Sequence, residues 1–372
     1  MIPLSLYIHS PWCIRKCPYC DFNSHKAPDE LPEKAYVDAV LQDFRSDLTL
    51  VQATDIQTVF IGGGTPSLMS GNTVKALLSG LQKLLPWSPQ AEVTLEANPG
   101  ASEAAKFLAY REAGVNRLSI GVQSFDDGHL KRLGRVHGRQ DAFAAFAMAR
   151  DAGFSRINID LMHGLAEQTV AGALADLQQA IDLGPEHISW YQLTIEQNTA
   201  FYSQPPVLPE EEVLWDIQQQ GQALLAAAGY QQYEVSAYAK RGEASRHNRN
   251  YWQFGDYIGV GPGAHGKLTQ SDGAILRTRK HRMPERYLSA ITHRVDSTPI
   301  APSELVFEFM LNALRLKDGC DWSVFEAHTG ISRARVAPLW AELVVKQWVL
   351  PGRVATTPKG YQYLNRIVEA FL

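Results

Sequence analysis

Residues 13–22 read CIRKCPYCDF and hold three of the chain's four cysteines, spaced C-x3-C-x2-C. Three thiols so close together, with a single distant fourth, favour metal ligation over disulfide stapling. Pro11 and Pro18 oppose a continuous helix, so Cys13, Cys17 and Cys20 are expected on a loop that can wrap one centre. Two centres fit these residue types. A cubane [4Fe–4S] cluster held by three thiolates would keep one iron without a protein ligand, open to chelation by a small molecule. A Cys3His zinc site would add His9 or His25, but zinc loops more often pair two C-x2-C knuckles and this chain has one.

A second group of residues stands where ligands bind in parallel α/β folds, at the C-terminal ends of strands. Tyr7, His9, the glycines 62–64, Glu96, Gln123, Asp160 and Thr194 each end or follow an apolar run. Polar strand ends occur in any fold, so it is their number beside the cysteine loop that points to a site. GGGTP (62–66) offers backbone free of Cβ atoms and tolerant of positive φ. It lacks the G-x-G-x-x-G spacing of a dinucleotide site.

The elements that must position these residues are legible as alternating runs. LSLYIH (4–9), QTVFIG (57–62), EVTLEA (92–97), RLSIGV (117–122), RINIDL (156–161) and HISWYQLTI (187–195) are the strand candidates. Several are almost continuously apolar, as in strands covered on both faces. Helical patterns such as 33–51 and 172–183 lie between them. Strand–helix units in succession predict an α/β fold with a parallel sheet and right-handed crossovers. Six such units rather than eight point to an open, partial (β/α)6 TIM-like barrel, with a doubly wound sheet as the alternative. SQPPVLPEEE (203–212) reads as a linker into a helix over 209–228, and HRVDSTPIAPSE (293–304) marks a second boundary. The expected domains are a core barrel over 1–205, an extension over 206–295 carrying HNRNYW (247–252), and a smaller C-terminal helical or winged-helix-like module over 296–372.

At 372 residues, 45% hydrophobic and 20% charged, the chain has material for one large domain and a smaller one. A net charge of −4 removes any general electrostatic case for nucleic acid. No apolar run approaches the roughly 18 residues of a membrane span. The N-terminus, MIPLSLYIHS, lacks the basic, apolar and cleavage segments of a signal peptide. A cytoplasmic protein, touching a membrane at most peripherally, is expected.

Together these motifs resemble the radical SAM superfamily, in which S-adenosylmethionine (SAM) chelates the open iron and a reduced cluster can cleave its sulfonium. LSLYIHSPWCIRKCPYCDFNSH, IGGGTPS, EANPG, RLSIGVQSF, LGRVH, NIDLMHGL and GDYIGVGPGAH are similar to its oxygen-independent coproporphyrinogen III oxidase group, over most of residues 4–266. The resemblance implies a partial barrel followed by a smaller helical domain. It puts Tyr7, Gly63, Gly64, Thr65 and Glu96 at positions of SAM contacts. Gln123, Arg135, Asp160 and Thr194 follow on the same ground, with the Tyr19 backbone near the adenine.

The decarboxylating oxidase continues its motif to C-x3-C-x2-C-x-C and carries a long N-terminal extension. Here Phe22 takes the last position and the chain begins almost at the first strand. Both departures, with His247, Asn248, Tyr251 and Trp252 as an HNxxYW motif, resemble HemW, the heme chaperone branch of the group. That branch implies heme as ligand, apo heme proteins of respiration as clients, and retention of the cluster and SAM. It also implies no coproporphyrinogen oxidase activity. SAM cleavage, covalent heme attachment and homodimerisation stay open, as do the oxidase itself and a radical SAM enzyme of other substrate. Histidine is the common neutral axial ligand of heme and aromatics pack on porphyrin faces. His247 is therefore the first candidate ligand and His265, in GAHG, the second. RTRKHRMPER (277–286) reads first as a solvated surface and second as a partner for heme propionates. Cys320, without a nearby thiol, reads as a lone cysteine.

Overall fold

The structure is a computed structural model that describes residues 2–372. Six strands pair in parallel in chain order: β1 (Leu4–Ser10), β2 (Ile56–Gly63), β3 (Trp87–Ala97), β4 (Arg117–Gln123), β5 (Ile157–His163) and β6 (His187–Gln192). All six follow the apolar runs, with β3 starting earlier than its run and β6 stopping short. Alternation decides the faces. Leu4, Leu6 and Ile8 of β1 enter the main hydrophobic core, while Tyr7 and His9 face a cavity on the other side.

Helices α1 (Glu33–Asp47), α2 (Gly71–Leu84), α3 (Arg139–Asp151) and α4 (Val170–Leu183) cover the outer face. On α1, Val37, Val40 and Phe44 form one buried stripe, and on α2 Val74, Leu77, Leu78 and Leu81 form another. These are the i, i+3, i+4 and i+7 spacings of an amphipathic helix. The helical run expected over 33–51 is α1 followed by a single 3-10 turn at Leu48–Leu50. Helix α5 (Glu211–Ala227) answers to the pattern over 209–228, and HNRNYW lies in a short helix, α6 (Arg246–Trp252).

What the sequence left as a mixed segment proves to be sheet. Strands β7 (Gln231–Glu234) and β8 (Ala237–Ala239) add antiparallel to the β6 edge. Strand β9 (Asp256–Val260) lies parallel to β1, in register from Leu4↔Asp256 to Ile8↔Val260. Strands β10 (His265–Thr269), β11 (Ile275–Lys280) and β12 (Arg294–Pro299) continue antiparallel beyond it. The result is one open sheet of 12 strands, ordered β12-β11-β10-β9-β1-β2-β3-β4-β5-β6-β8-β7.

Helices α7 (Leu305–Ala313), α8 (Trp322–Thr329) and α9 (Ala337–Val345) build a second core. Phe309, Phe325 and Trp340 pack there with Phe254 and Ile275 of the sheet extension, so the core joins the two. Residues 348–360 contribute isolated bridges, Cys320↔Val354 and Val349↔Thr356. No helix among the described residues is long and apolar enough to cross a membrane.

Candidate functional site

The cysteine loop leaves the end of β1 and is drawn closed at its base. Trp12–Cys13 and His25–Lys26 pair as two short parallel strands, and the His25 and Ala27 N–H groups donate to the Pro11 and Cys13 carbonyls at 2.7 and 2.8 Å. Each thiol has a hydroxyl or guanidinium neighbour suited to a thiolate. Thr65 Oγ1 lies 3.3 Å from Cys13 Sγ, Arg135 Nη1 3.7 Å from Cys17 Sγ, and Ser24 Oγ 3.7 Å from Cys20 Sγ. All three sulfurs border one cavity of about 400 Å³.

The zinc alternative does not fit this geometry. His9 Nε2 pairs with the Asn23 carbonyl and its Nδ1 with the Tyr7 hydroxyl, each at 3.0 Å, while His25 Nε2 faces Asn23 Oδ1 at 3.3 Å. Among the described residues no three His, Cys, Asp or Glu side chains gather closely enough to hold a single ion. A cubane is larger, and three separated thiolates around one cavity suit it.

The glycines serve packing first. A Cβ on Gly63 would fall 2.4 Å from His9 Cε1, one on Gly64 2.6 Å from the Trp12 carbonyl oxygen, and one on Gly62 3.0 Å from Glu96 Oε2. Gly63 also holds φ at +107°, a left-handed value that excludes most other residues. Bare backbone is thus required for β2 to press against the cysteine loop, before any ligand approaches.

Opposite the cysteines stand two carboxylates. Glu96 and Asp160 keep a little surface on the cavity and are otherwise enclosed by protein. Burial, and then the charge of Asp160, raises the Glu96 pKa to about 8 against the bond it accepts from the Gly63 N–H at 3.0 Å. Burial also raises Asp160, against hydrogen bonds from Ser189, Asn158 and Ser119. No lysine or arginine forms a salt bridge with either among the described residues. Such a pair favours a cationic ligand, since a cation would relieve both the mutual repulsion and the lost hydration.

Arg135 reaches this cavity from the turn after a short helix, Asp127–Arg132. Its Nη2 donates to Asn98 Oδ1 at 2.6 Å and to the Gly121 carbonyl at 2.8 Å. Gln123 ends β4 in a left-handed conformation, φ +69°, unusual outside glycine, and its Oε1 accepts the Tyr191 hydroxyl at 2.7 Å. Tyr19, Gly63, Gly64, Thr65, Glu96, Gln123, Arg135 and Asp160 all border the cavity. Tyr7 instead lines the neighbouring cavity, and Thr194 is exposed beyond β6 with its Oγ1 on Glu196. Missed residues include Asn98, two positions beyond Glu96 and just past the end of β3, and Ser189 and Tyr191, which alternate along β6.

His247 is enclosed in the core. It is 1% exposed, its Nδ1 is 2.9 Å from Thr58 Oγ1, and its ring lies 5.1 and 4.7 Å from Phe60 and Tyr251. Its Nε2 is buried without a partner, and burial followed by Arg117 lowers its pKa to about 3. Buried as it is, that nitrogen is not open to a porphyrin in this arrangement. The basic run is the solvated surface expected only in part. Thr278 and Lys280 of β11 are buried, Lys280 between Asp43 and Asp47, and Arg277 is paired with Glu308. The alternate residue Arg279 is exposed, as are Arg282, Met283, Glu285 and Arg286 beyond the strand.

Comparison with known proteins agrees with this geometry. The model of the radical SAM superfamily matches residues 7–177. Proteins named heme chaperone HemW from Escherichia coli and Bacillus subtilis are 50% and 34% identical. The first alignment covers 100% of this chain and 98% of the relative, the second 99% of each. Among solved structures, the radical SAM enzyme coproporphyrinogen III oxidase (HemN) of Escherichia coli superposes with a TM-score of 0.82 at 23% identity, covering 100% of this chain and 90% of that one. That likeness is one of fold. Cysteine loop, open parallel sheet and full-length relatives agree: the chain belongs to the HemW family of the radical SAM superfamily.

Proposed function

We propose that the chain binds heme and hands it to heme-dependent proteins of respiration in the cytoplasm, carrying a [4Fe–4S] cluster and SAM as it does so. The observation that carries this reading is the end-to-end likeness to proteins named heme chaperones. Phe22 supports it: the side chain is 56% exposed at the lip of the cluster cavity and offers no thiol. Cys13, Cys17 and Cys20 would hold the cluster. When bound, the cluster supplies an iron open to SAM and an electron for breaking its sulfonium bond. Glu96 and Asp160 attract the ligand's positive charge, and Arg135 places its guanidinium beside Cys17 while fixing Asn98.

The test is a hemin titration of the anaerobically reconstituted protein, followed by transfer to an apo heme enzyme. Saturable binding with recovery of the acceptor's activity is the expected result. Turnover of coproporphyrinogen to protoporphyrinogen with no transfer would overturn it. A second reading, a radical SAM enzyme of unidentified substrate, has one observation in its favour. The cavity continues past the SAM residues to Glu234, Ser236 and Asn248. Sustained formation of 5′-deoxyadenosine by a protein that binds no heme would select it.

A further inference from the structure

A second cavity, of about 680 Å³, lies on the other side of Phe22 from the cluster. It is within the range of roughly 300–1,000 Å³ that takes cofactor-sized ligands. Its floor is the face of the sheet extension opposite α1. Cross-strand pairing places His265 of β10 beside Arg279 of β11, and Lys267 beside Arg277 and Tyr257. The cysteine loop forms one wall through Phe22 and Asn23, and Trp252 of α6 another.

The charges around this cavity are of two kinds. Lys267 is committed to Asp256 at 2.8 Å, and Arg277 to Glu308 and the Tyr257 hydroxyl. Arg279 is held only loosely, 3.6 Å from the exposed Asp296, and Arg282 forms no salt bridge among the described residues. Two weakly engaged guanidiniums therefore stand at the edge of an aromatic-walled cavity, with Asp21 the only acid lining it among the described residues. Between them His265 is exposed at the cavity, and burial together with Arg279, Arg277 and Arg282 favours its neutral imidazole, the form that ligates iron.

We propose that this cavity is the heme site of the chain, with Arg279 and Arg282 binding the two propionates and His265 ligating the iron. The assignment rests on the proposed heme function and relocates the ligand from buried His247. An apolar macrocycle with two carboxylates at one edge matches a floor that is aromatic on one side and cationic on the other. Phe22 then separates two cofactor sites, and its ring is available to both.

Hemin titration of the full-length reconstituted chain tests this, comparing wild type with Arg279→Glu/Arg282→Glu and with His265→Ala. The charge-reversed pair should bind hemin at least about tenfold more weakly, with melting temperature and iron content unchanged. Hemin dimethyl ester, which lacks the carboxylates, should bind wild type as weakly as hemin binds that variant. His265→Ala should shift the Soret band. Wild-type affinity and spectrum in both variants would overturn the site while leaving heme binding intact. Absence of saturable hemin binding to wild type would overturn the heme function and the site together.

Discussion

Asp43 and Asp47 on α1, and Glu96 and Asp160 on β3 and β5, are two pairs of carboxylates drawn away from bulk water, and only the first pair is given cations. Lys280 sits between Asp43 and Asp47, at 2.6 Å from Asp47 Oδ2, and Arg294 adds a contact at 3.2 Å. The Tyr287 hydroxyl donates to Asp43 at 2.7 Å. This cluster fastens β11 and the helix after it to α1, and nothing in it is left for a ligand. Among the described residues Glu96 and Asp160 have hydrogen bonds but no ion pair, Arg117 acting on Asp160 only through its charge. A charge left unmet at the wall of a cavity is a site; a charge met on every side is a rivet.

The sharpest way to break that contrast is Lys280→Ala. Stripping the cation from two buried carboxylates should cost about 3–5 kcal/mol in chemical denaturation. A loss below about 1 kcal/mol would make the cluster dispensable. Glu96→Gln should do the opposite: apo stability kept or improved, and SAM affinity of the reconstituted protein lowered at least about tenfold, as expected for losing a bond to a charged group. The pH dependence follows from the same group. Its folded pKa, about 8, lies above the unfolded value, so its contribution to stability is complete at acid pH and is lost as pH rises through about 8. Binding a cation demands the ionised form, so SAM affinity should rise about tenfold from pH 7 to 9, and Glu96→Gln should flatten the curve. The smallest effect belongs to Cys320→Ala, in the second core, at ~1 kcal/mol of stability with iron content unchanged.

The parts of the molecule written in short-range pattern were legible. Strands β1 to β6, the loop nature of the cysteine segment and most residues of the cluster cavity follow from runs of a few residues. Where alternation was not applied to the end, the expectation slipped. Tyr191 shares a strand face with Ser189, whereas Thr194 lies past the strand and outside the cavity. The same period of two would have separated Arg277 and Arg279 from Thr278 and Lys280. Other features were beyond reach because their cause lies far along the chain. His247 is buried by a partner 189 positions away, Thr58, and Lys280 by one 237 positions away, Asp43. The glycines 62–64 were singled out for their bare backbone, but their packing against His9 and Trp12 is a tertiary fact.

Strand β9 carries a consequence for the order in which the protein is made. β1 has β2 on one flank and β9, residues Asp256–Val260, on the other. The cysteine loop is tied to the same late segment, with Asn23 Nδ2 donating to the Pro262 and Arg282 carbonyls at 2.9 and 2.8 Å. Contacts between such distant stretches form slowly, since the intervening chain must first be closed into a loop. A ribosome must therefore add about 250 residues after β1 before that strand is flanked on both sides. The cysteine loop is made long before the segment that ties it down, so it is fixed only late in folding.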